Sequence, residues 1–238
     1  MPPVQSYLAS LEEKTELTPK YTEYSFELIK PHHLEFQAGQ YISLKVNAEG
    51  LRRAYSISSS PDIKHQLELL VDLSPNGPGI KFFKSLEFGQ KVEFLAPVGQ
   101  FIVPADLPGE IDHLVFVATG SGVAPFKSMI EDELRNKKTQ RQLTLHWGQR
   151  HAQNLFWLEE FRELSETFDN FHFHPVLSQA PEQWTLCRGR VTDCLTVHQL
   201  PTNAAFFLCG GRAMLQDVTQ LLIKQGVAKN LIFTEKFY

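Results

Sequence analysis

Four short segments carry residue types suited to nucleotide and redox chemistry. In Arg53-Ala54-Tyr55-Ser56, strand alternation turns Arg53 and Tyr55 to one face and Ser56 to the other. A guanidinium is a planar fork of donors matched to phosphate oxygens, so this face could hold a phosphate and an aromatic ring together. Asn76-Gly77-Pro78-Gly79-Ile80 opens a short helix, where unpaired backbone N–H groups attract an anion. Leu114–Pro125 is an apolar run, then Thr119-Gly120-Ser121-Gly122, then a proline at the first helical position. Glycines there let a pyrophosphate approach the backbone, although the segment matches neither the strict GxGxxG nor the Walker pattern. Phe207–Met214 ends a buried strand in Cys209, follows it with Gly210 and Gly211, and leads into a helix containing Met214.

Each segment has a plainer reading when taken singly: a polar strand on a barrel surface, a turn, an ordinary strand–helix loop, a small core residue. Glu235, Phe237 and Tyr238 close the chain, and the two terminal rings must pack either on a domain surface or in a cleft. His172 and His174 alternate and so could share a face, but no acidic or cysteine partner is near in sequence, and no metal site is assigned. Glu159, Glu160, Arg162 and Glu163 read as a solvated helix face, and no G-x-S-x-G elbow occurs.

The elements that must position these residues change character along the chain. Residues 4–104 read as short strands (Tyr21–Ile29, Gln40–Val46, Arg53–Ser58, Leu67–Asp72, Lys91–Ala96) between Gly and Pro punctuation, with one helix at Ile80–Leu86. That spacing predicts an antiparallel barrel or sandwich. Residues 105–110 read as a linker. Beyond it, strands at Leu114–Thr119, Leu143–Gly148, Phe171–Ser178, Ala204–Gly210 and Asn230–Phe237 alternate with helical patterns at Phe126–Asn136, Leu155–Leu164, near Val191–Leu195, and Met214–Gln225. Alternation of this kind predicts a parallel sheet with both faces covered. The expected division is a β domain over 1–106 and an α/β domain over 110–238.

Composition narrows the function classes. At 238 residues with 42% hydrophobic and 21% charged residues, the chain is an ordinary globular protein. A net charge of -4 gives no electrostatic reason to expect nucleic acid. No apolar run reaches the ~20 residues a membrane span needs, and the first residues lack the regions of a signal peptide. Cys187, Cys194 and Cys209 form no CxxC pair, which argues against a disulfide framework, a zinc knuckle or a cysteine-bound cluster and for reduced thiols in the cytoplasm.

The order of the segments is more specific than any one of them. Arg-Ala-Tyr-Ser, Gly-Pro-Gly, Thr-Gly-Ser-Gly-Val-Ala-Pro, Cys-Gly-Gly-Arg-Ala-Met and Glu-Lys-Phe-Tyr, in that order over nearly the whole chain, resemble the ferredoxin–NADP⁺ reductase superfamily. The likeness is to stand-alone bacterial reductases and to the reductase modules of oxygenases. It implies an antiparallel FAD-binding β-barrel followed by a parallel-sheet NAD(P)-binding α/β domain. It implies that Arg53, with Ala54, meets the FAD pyrophosphate, that Tyr55 stacks on the flavin, and that Ser56 hydrogen-bonds near the reactive flavin nitrogen. Gly77, Gly79 and Ile80 would hold FAD phosphates through backbone N–H groups. Thr119, Gly120, Gly122 and Pro125 would shape the coenzyme pyrophosphate site, with Gly210 and Met214 beside it. Cys209 would lie next to the nicotinamide, Glu235 would complete the hydride-transfer site, Phe237 would cover the flavin as a movable lid, and Tyr238 would be a one-residue extension.

Two departures from the family pattern stand out. Ile80 replaces the Ser or Thr of many relatives, and no cysteine-rich iron–sulfur domain is present in this sequence. Electrons are therefore expected to pass to a separate ferredoxin, flavodoxin or oxygenase component. Arg150 is a candidate for the extra phosphate of NADPH, but Gln179 stands where NADPH-using bacterial relatives tend to carry arginine, which favours NADH. Alternative readings are a reductase of free flavin, and a non-catalytic nucleotide-binding subunit. The oligomeric state is not legible.

Overall fold

The computed structural model describes residues 2–236. The chain divides into two compact units, one of residues 1–103 and 124–137, the other of residues 104–123 and 138–238.

The first unit is built on an antiparallel sheet. Its strands are β1 (Gln5–Glu16), β2 (Tyr21–Lys30), β3 (Tyr41–Lys45), β4 (Arg52–Ser56), β5 (Gln66–Asp72) and β6 (Lys91–Val98), in the order β4-β3-β6-β1-β2-β5. The two edge strands meet just beyond β4, where Ile57 bridges Leu69 and the Ser58 N–H donates to the Glu68 carbonyl at 2.9 Å. That contact closes the sheet into the expected barrel, which removes the exposed strand edge. Helix α1 (Pro78–Ser85) carries Phe83 into the barrel core, where it packs on Tyr24 at 4.6 Å between ring centroids and accepts the Tyr24 hydroxyl proton on its carbonyl. Helix α2 (Ala124–Glu131) and the wider turn of Asp132–Asn136 also belong to this unit: the Ser128 hydroxyl donates to the Ser59 carbonyl at 2.7 Å.

The second unit is a parallel sheet of β7 (His113–Thr119), β8 (Gln142–Gln149), β9 (Phe171–Leu177), β10 (Cys187–Arg188), β11 (Ala204–Gly210) and β12 (Ile232–Lys236). Its order is β10-β9-β8-β7-β11-β12, so the winding reverses between β7 and β11. Such a reversal leaves a crevice at the carboxyl ends of the two strands, where open α/β sheets bind ligands. Helices α3 (Leu158–Thr167), α4 (Val191–Val197) and α5 (Arg212–Lys224) connect the strands.

One face of this sheet carries Phe116, Phe207 and Phe233, with Phe207 stacked on Phe233 at 4.8 Å. The opposite face packs Val115, Val117, Phe206 and Leu208 against α4 and α5 through Leu195, Leu215 and Val218. His146 and His174 lie in register on that second face beside Val117. Burial and the neighbouring imidazoles push His146 down to about 3 and His174 down to about 4.

Three expectations are corrected. The twelve-residue β1 was not expected, because Glu12-Glu13-Lys14 breaks the apolar alternation and two register shifts interrupt its pairing with β2. Helix α3 begins at Leu158 rather than Leu155, since residues 152–154 form a tighter turn that tucks Leu155 and Trp157 into the core. The expectation that all three cysteines stay unpaired fails: Cys187 and Cys194 form a disulfide, with Cα atoms 5.6 Å apart, while Cys209 alone is free. Seven residues and a change from strand to helix separate the pair, so sequence spacing alone does not show that they meet.

Candidate nucleotide and redox sites

In the first unit, β4 and the start of α1 converge. Arg53 and Ala54 are exposed, Tyr55 is half-buried, and Ser56 is buried, so burial deepens toward the end of the strand rather than alternating. Tyr55 sets its ring edge-on to Phe83 at 4.8 Å. Burial pushes the Tyr55 phenol up to about 12, against the opposing pull of the Arg53 charge, so it is a neutral hydrogen-bond donor at any ordinary pH. Gly79 is buried against these two side chains. A Cβ there would lie 3.3 Å from Arg53 Cγ and would collide with the Tyr55 hydroxyl. Any other residue at 79 would thus push the phenol or the helix start away.

Gly77 is the N-cap of α1 and Pro78 follows it, so the first-turn N–H groups of Gly79 and Ile80 have no intrahelical acceptor. The Arg53 guanidinium makes one hydrogen bond, to the Arg52 carbonyl at 2.8 Å, and no ion pair among the described residues. The Ser58 hydroxyl, two residues past Ser56, is buried with no hydrogen-bond partner among the described residues. A cation without a carboxylate, a helix start floored by glycine, and an aromatic ring beside both fit the phosphates and ring of a dinucleotide such as FAD.

In the second unit, the glycine turn and Cys209 come together at the crevice. Residues 120–123 form a single tight turn directly after β7, and the Trp147 indole N–H donates to the Gly120 carbonyl at 3.0 Å. Gly122 lies against the end of β11: a Cβ there would be 2.7 Å from the Cys209 carbonyl carbon and 2.9 Å from Gly210 Cα. The Thr119 hydroxyl accepts a 3.4 Å hydrogen bond from the Gly211 N–H, tying the two strand ends together. Gly211 is the N-cap of α5, and the Met214 side chain reaches back to Gly210.

Cys209 is fully buried and pairs in register with Glu235 on β12. Burial, and secondarily the Glu235 carboxylate, raise the Cys209 thiol well above its ordinary value. It is therefore a neutral, weakly polar group enclosed behind the carboxyl end of β11 and no nucleophile. Pro125 is buried in the first turn of α2. Phe237 and Tyr238 lie outside the described residues.

Arg150 follows β8 and is exposed without an ion pair among the described residues, and its carbonyl accepts the Gln179 N–H at 2.9 Å. Two further arginines near these strand ends escaped the sequence reading. Arg188 donates to the Pro181, Glu182 and Trp184 carbonyls, and Arg190 pairs with Asp217 at 3.2 Å. Both are thereby engaged within the protein, whereas Arg150 and Arg212, at the start of α5, make no ion pair among the described residues.

Known proteins show the same two-part organisation. The family model described as an oxidoreductase FAD-binding domain matches residues 8–102, and that described as an oxidoreductase NAD-binding domain matches residues 116–220. The reductase component DmpP of phenol 2-monooxygenase from Pseudomonas sp. (strain CF600) is 33% identical over 242 residues, covering 99% of this chain and 67% of that protein. The structure of the Amycolatopsis cytochrome P450 reductase GcoB superposes with a TM-score of 0.90 at 29% identity, over 100% of this chain and 71% of that one. A ferredoxin NADP+ reductase from Neisseria gonorrhoeae, solved with bound FAD and NADP, shares the fold over 100% of both chains, with a TM-score of 0.82 at 24% identity. Among further curated relatives the chain spans less of their length, 60% in one case and 56% in another. The chain has an FAD-binding and an NAD-binding domain and belongs to the ferredoxin–NADP⁺ reductase superfamily.

Proposed function

We propose that this chain is a flavoprotein reductase that moves hydride from NAD(P)H to bound FAD and delivers the electrons to a separate acceptor protein. The observation that carries the reading is the convergence of Arg53, Tyr55 and the glycine-floored start of α1. Arg53 neutralises the FAD pyrophosphate, and the N–H groups of Gly79 and Ile80, beyond Gly77, donate to the same phosphates. Ala54 adds only backbone beside them. Tyr55, held edge-on by Phe83, offers its ring to the flavin, and Ser56 offers a hydroxyl to it. Ile80 contributes no side-chain hydrogen bond, so backbone donors carry that contact.

Bound FAD would supply the exchange between two-electron and one-electron chemistry. The residues of the second unit hold and orient the coenzyme. Thr119, Gly120 and Gly122 form the crevice floor for its pyrophosphate, with Gly210 and Met214 in the adjoining segment; Pro125 lies in the first turn of the helix that follows the glycine turn. The protonated, buried Cys209 presents an uncharged surface to the nicotinamide, and Glu235 beside it is the nearest carboxylate in register. With Arg188 and Arg190 already engaged and Gln179 uncharged, we assign NADH as the preferred donor.

The acceptor is a ferredoxin, a flavodoxin or an oxygenase component, and the setting is the cytoplasm; no helix among the described residues is long and apolar enough to cross a membrane. Anaerobic visible spectra of the purified chain test this function directly. The expected result is a flavin spectrum bleached faster by NADH than by NADPH. A chain that retains no FAD after FAD is added and the excess removed would overturn the reading in favour of a free-flavin reductase or a non-catalytic subunit.

A further inference from the structure

A second group of reactive side chains lies on the sheet face opposite the one that carries Cys209 and Glu235. Strands β8 and β9 place His146 and His174 side by side there, with ring centroids 4.9 Å apart. Cys194 comes down from α4 onto this face, Cys187 lies on the edge strand β10, and His198 follows the end of α4. His198 stacks on His174 at 3.9 Å between centroids. The contacts between sulfur and imidazole are close: Cys194 Sγ is 3.3 Å from His146 Nδ1, and Cys187 Sγ is 3.4 Å from His198 Nε2. The two sulfurs and a His198 ring nitrogen all lie within 4.8 Å of one another. Cys194 and His146 are 1% and 3% exposed, whereas His198 is open to solvent.

We propose that the reduced chain binds one zinc-class divalent cation through Cys187, Cys194, His198 and His146, and that the Cys187–Cys194 disulfide is the metal-free, oxidised form of the same site.

The donor set selects the metal class. The cluster itself holds no carboxylate, and none lines the adjoining open pocket of about 390 Å³ bounded by His146 and His198, so the oxygen-rich coordination that calcium and magnesium require is not offered. Two thiolates and two imidazoles suit a tetrahedral zinc-type ion. With metal–sulfur bonds of about 2.3 Å and metal–nitrogen bonds of about 2.0 Å, a tetrahedral sulfur–nitrogen edge is about 3.5 Å. The two sulfur–imidazole distances, 3.3 and 3.4 Å, are already within a few tenths of it. The sulfurs must part and the His146 and His198 rings, 6.0 Å apart between centroids, must close on a shared ion; the Cα separation of 5.6 Å accommodates both the disulfide and the bridged metal.

The chemistry balances with an external dithiol as reductant. Two electrons and two protons from the dithiol cleave the S–S bond, giving two cysteine thiols and the reductant's own disulfide. Metal binding then displaces the two thiol protons to solvent as two metal–thiolate bonds form.

The test uses the full chain loaded with FAD. It is reduced with a dithiol, desalted without oxygen, and titrated with zinc alone. Metal content is measured, together with alkylation of each cysteine by peptide mapping. The expected result is about one zinc per chain, with alkylation of Cys187 slowed at least about tenfold and restored by a chelator. Cys187→Ser is expected to abolish stoichiometric binding and His198→Ala to weaken it by about 10–100-fold. Both substitutions are at positions that are not fully buried, and an unchanged far-ultraviolet spectrum checks the fold. The proposal is overturned if the reduced chain takes up no more zinc than Cys187→Ser. It is equally overturned if the disulfide form binds as tightly, which would assign the metal to imidazoles alone.

Discussion

Replacing Gly122 by alanine tests the crevice at its narrowest point. The new methyl carbon would start 2.7 Å from the Cys209 carbonyl carbon and 2.9 Å from Gly210 Cα, both backbone atoms of the neighbouring strand end. Unstrained carbon contacts need about 3.5–4.0 Å, so the turn must withdraw by about 1 Å. The strand end is fixed by its ladder with β7 and β12, and it will not give. Crowding of this kind costs about 1–3 kcal/mol of stability, while a misplacement near 1 Å at a binding site costs up to about 100-fold in function. We expect Gly122→Ala to keep its FAD spectrum and to need about 10–100-fold more NADH for half-maximal rate of flavin reduction in anaerobic stopped flow. Gly226→Ala is the control. It meets open space at φ +87, so it strains only the end of α5 and leaves the NADH dependence unchanged. A Gly122→Ala chain that is folded and saturates with NADH within about twofold of the parent would refute the placement of the pyrophosphate at this turn.

Arg53→Ala removes the guanidinium beside the start of α1 and is expected to weaken FAD binding by about 10–100-fold, as loss of charge-assisted hydrogen bonds worth about 1.5–3 kcal/mol implies; fluorescence titration of the FAD-free chain measures it, and an unchanged affinity would exclude the phosphate contact. Arg150→Ala is expected to leave NADH kinetics within about twofold while further depressing the rate with NADPH, because the role proposed for it involves only the additional phosphate; an equal loss with both coenzymes contradicts that role. Cys209 should resist iodoacetamide in the native chain at pH 9, since burial holds its thiol protonated. Because its folded-state pKa is raised, the folded chain keeps this proton longer than the unfolded chain, and the stability it contributes is complete below the ordinary thiol value of about 8.5 and is lost above it. Denaturant titrations from pH 7 to about 10 should therefore fall less steeply for Cys209→Ala than for the parent, and parallel profiles would remove the thiol from the account.

What could be read from the chain depended on whether one local signal dominated. Strand β11 was legible to the residue, Ala204–Gly210, because a continuous apolar run ends on paired glycines. The barrel was legible as a class from its Gly and Pro spacing, but β1 was hidden by its own charged residues, which its long two-sided pairing with β2 and β6 overrides. The residues proposed for the two nucleotide sites could be picked out because helix starts and glycine turns are local features. What joins them is not local: that Gly122 abuts the Cys209 carbonyl and that Gly79 abuts Tyr55 depends on strand order and barrel closure.

The histidine face departs from the apolar pattern of its neighbours. A parallel strand covered on both sides should read as an unbroken apolar run, as Leu114–Ala118 and Ala205–Leu208 do. Its neighbours do not: Leu143-Thr144-Leu145-His146-Trp147 and Phe171-His172-Phe173-His174 alternate apolar with polar residues in phase. Alternation in a central parallel strand means that one face is not filled as ordinary core. His113 Nε2 at 2.7 Å from Thr144 Oγ1 extends the same polar stripe onto β7. The sulfurs on this face come from residues 187 and 194, on β10 and α4, and they meet His198 and His146 rather than His172 or His174. A face that gives up apolar burial along two adjacent strands, and gathers sulfur and imidazole in its place, is the pattern that the proposed metal site would explain and packing alone does not.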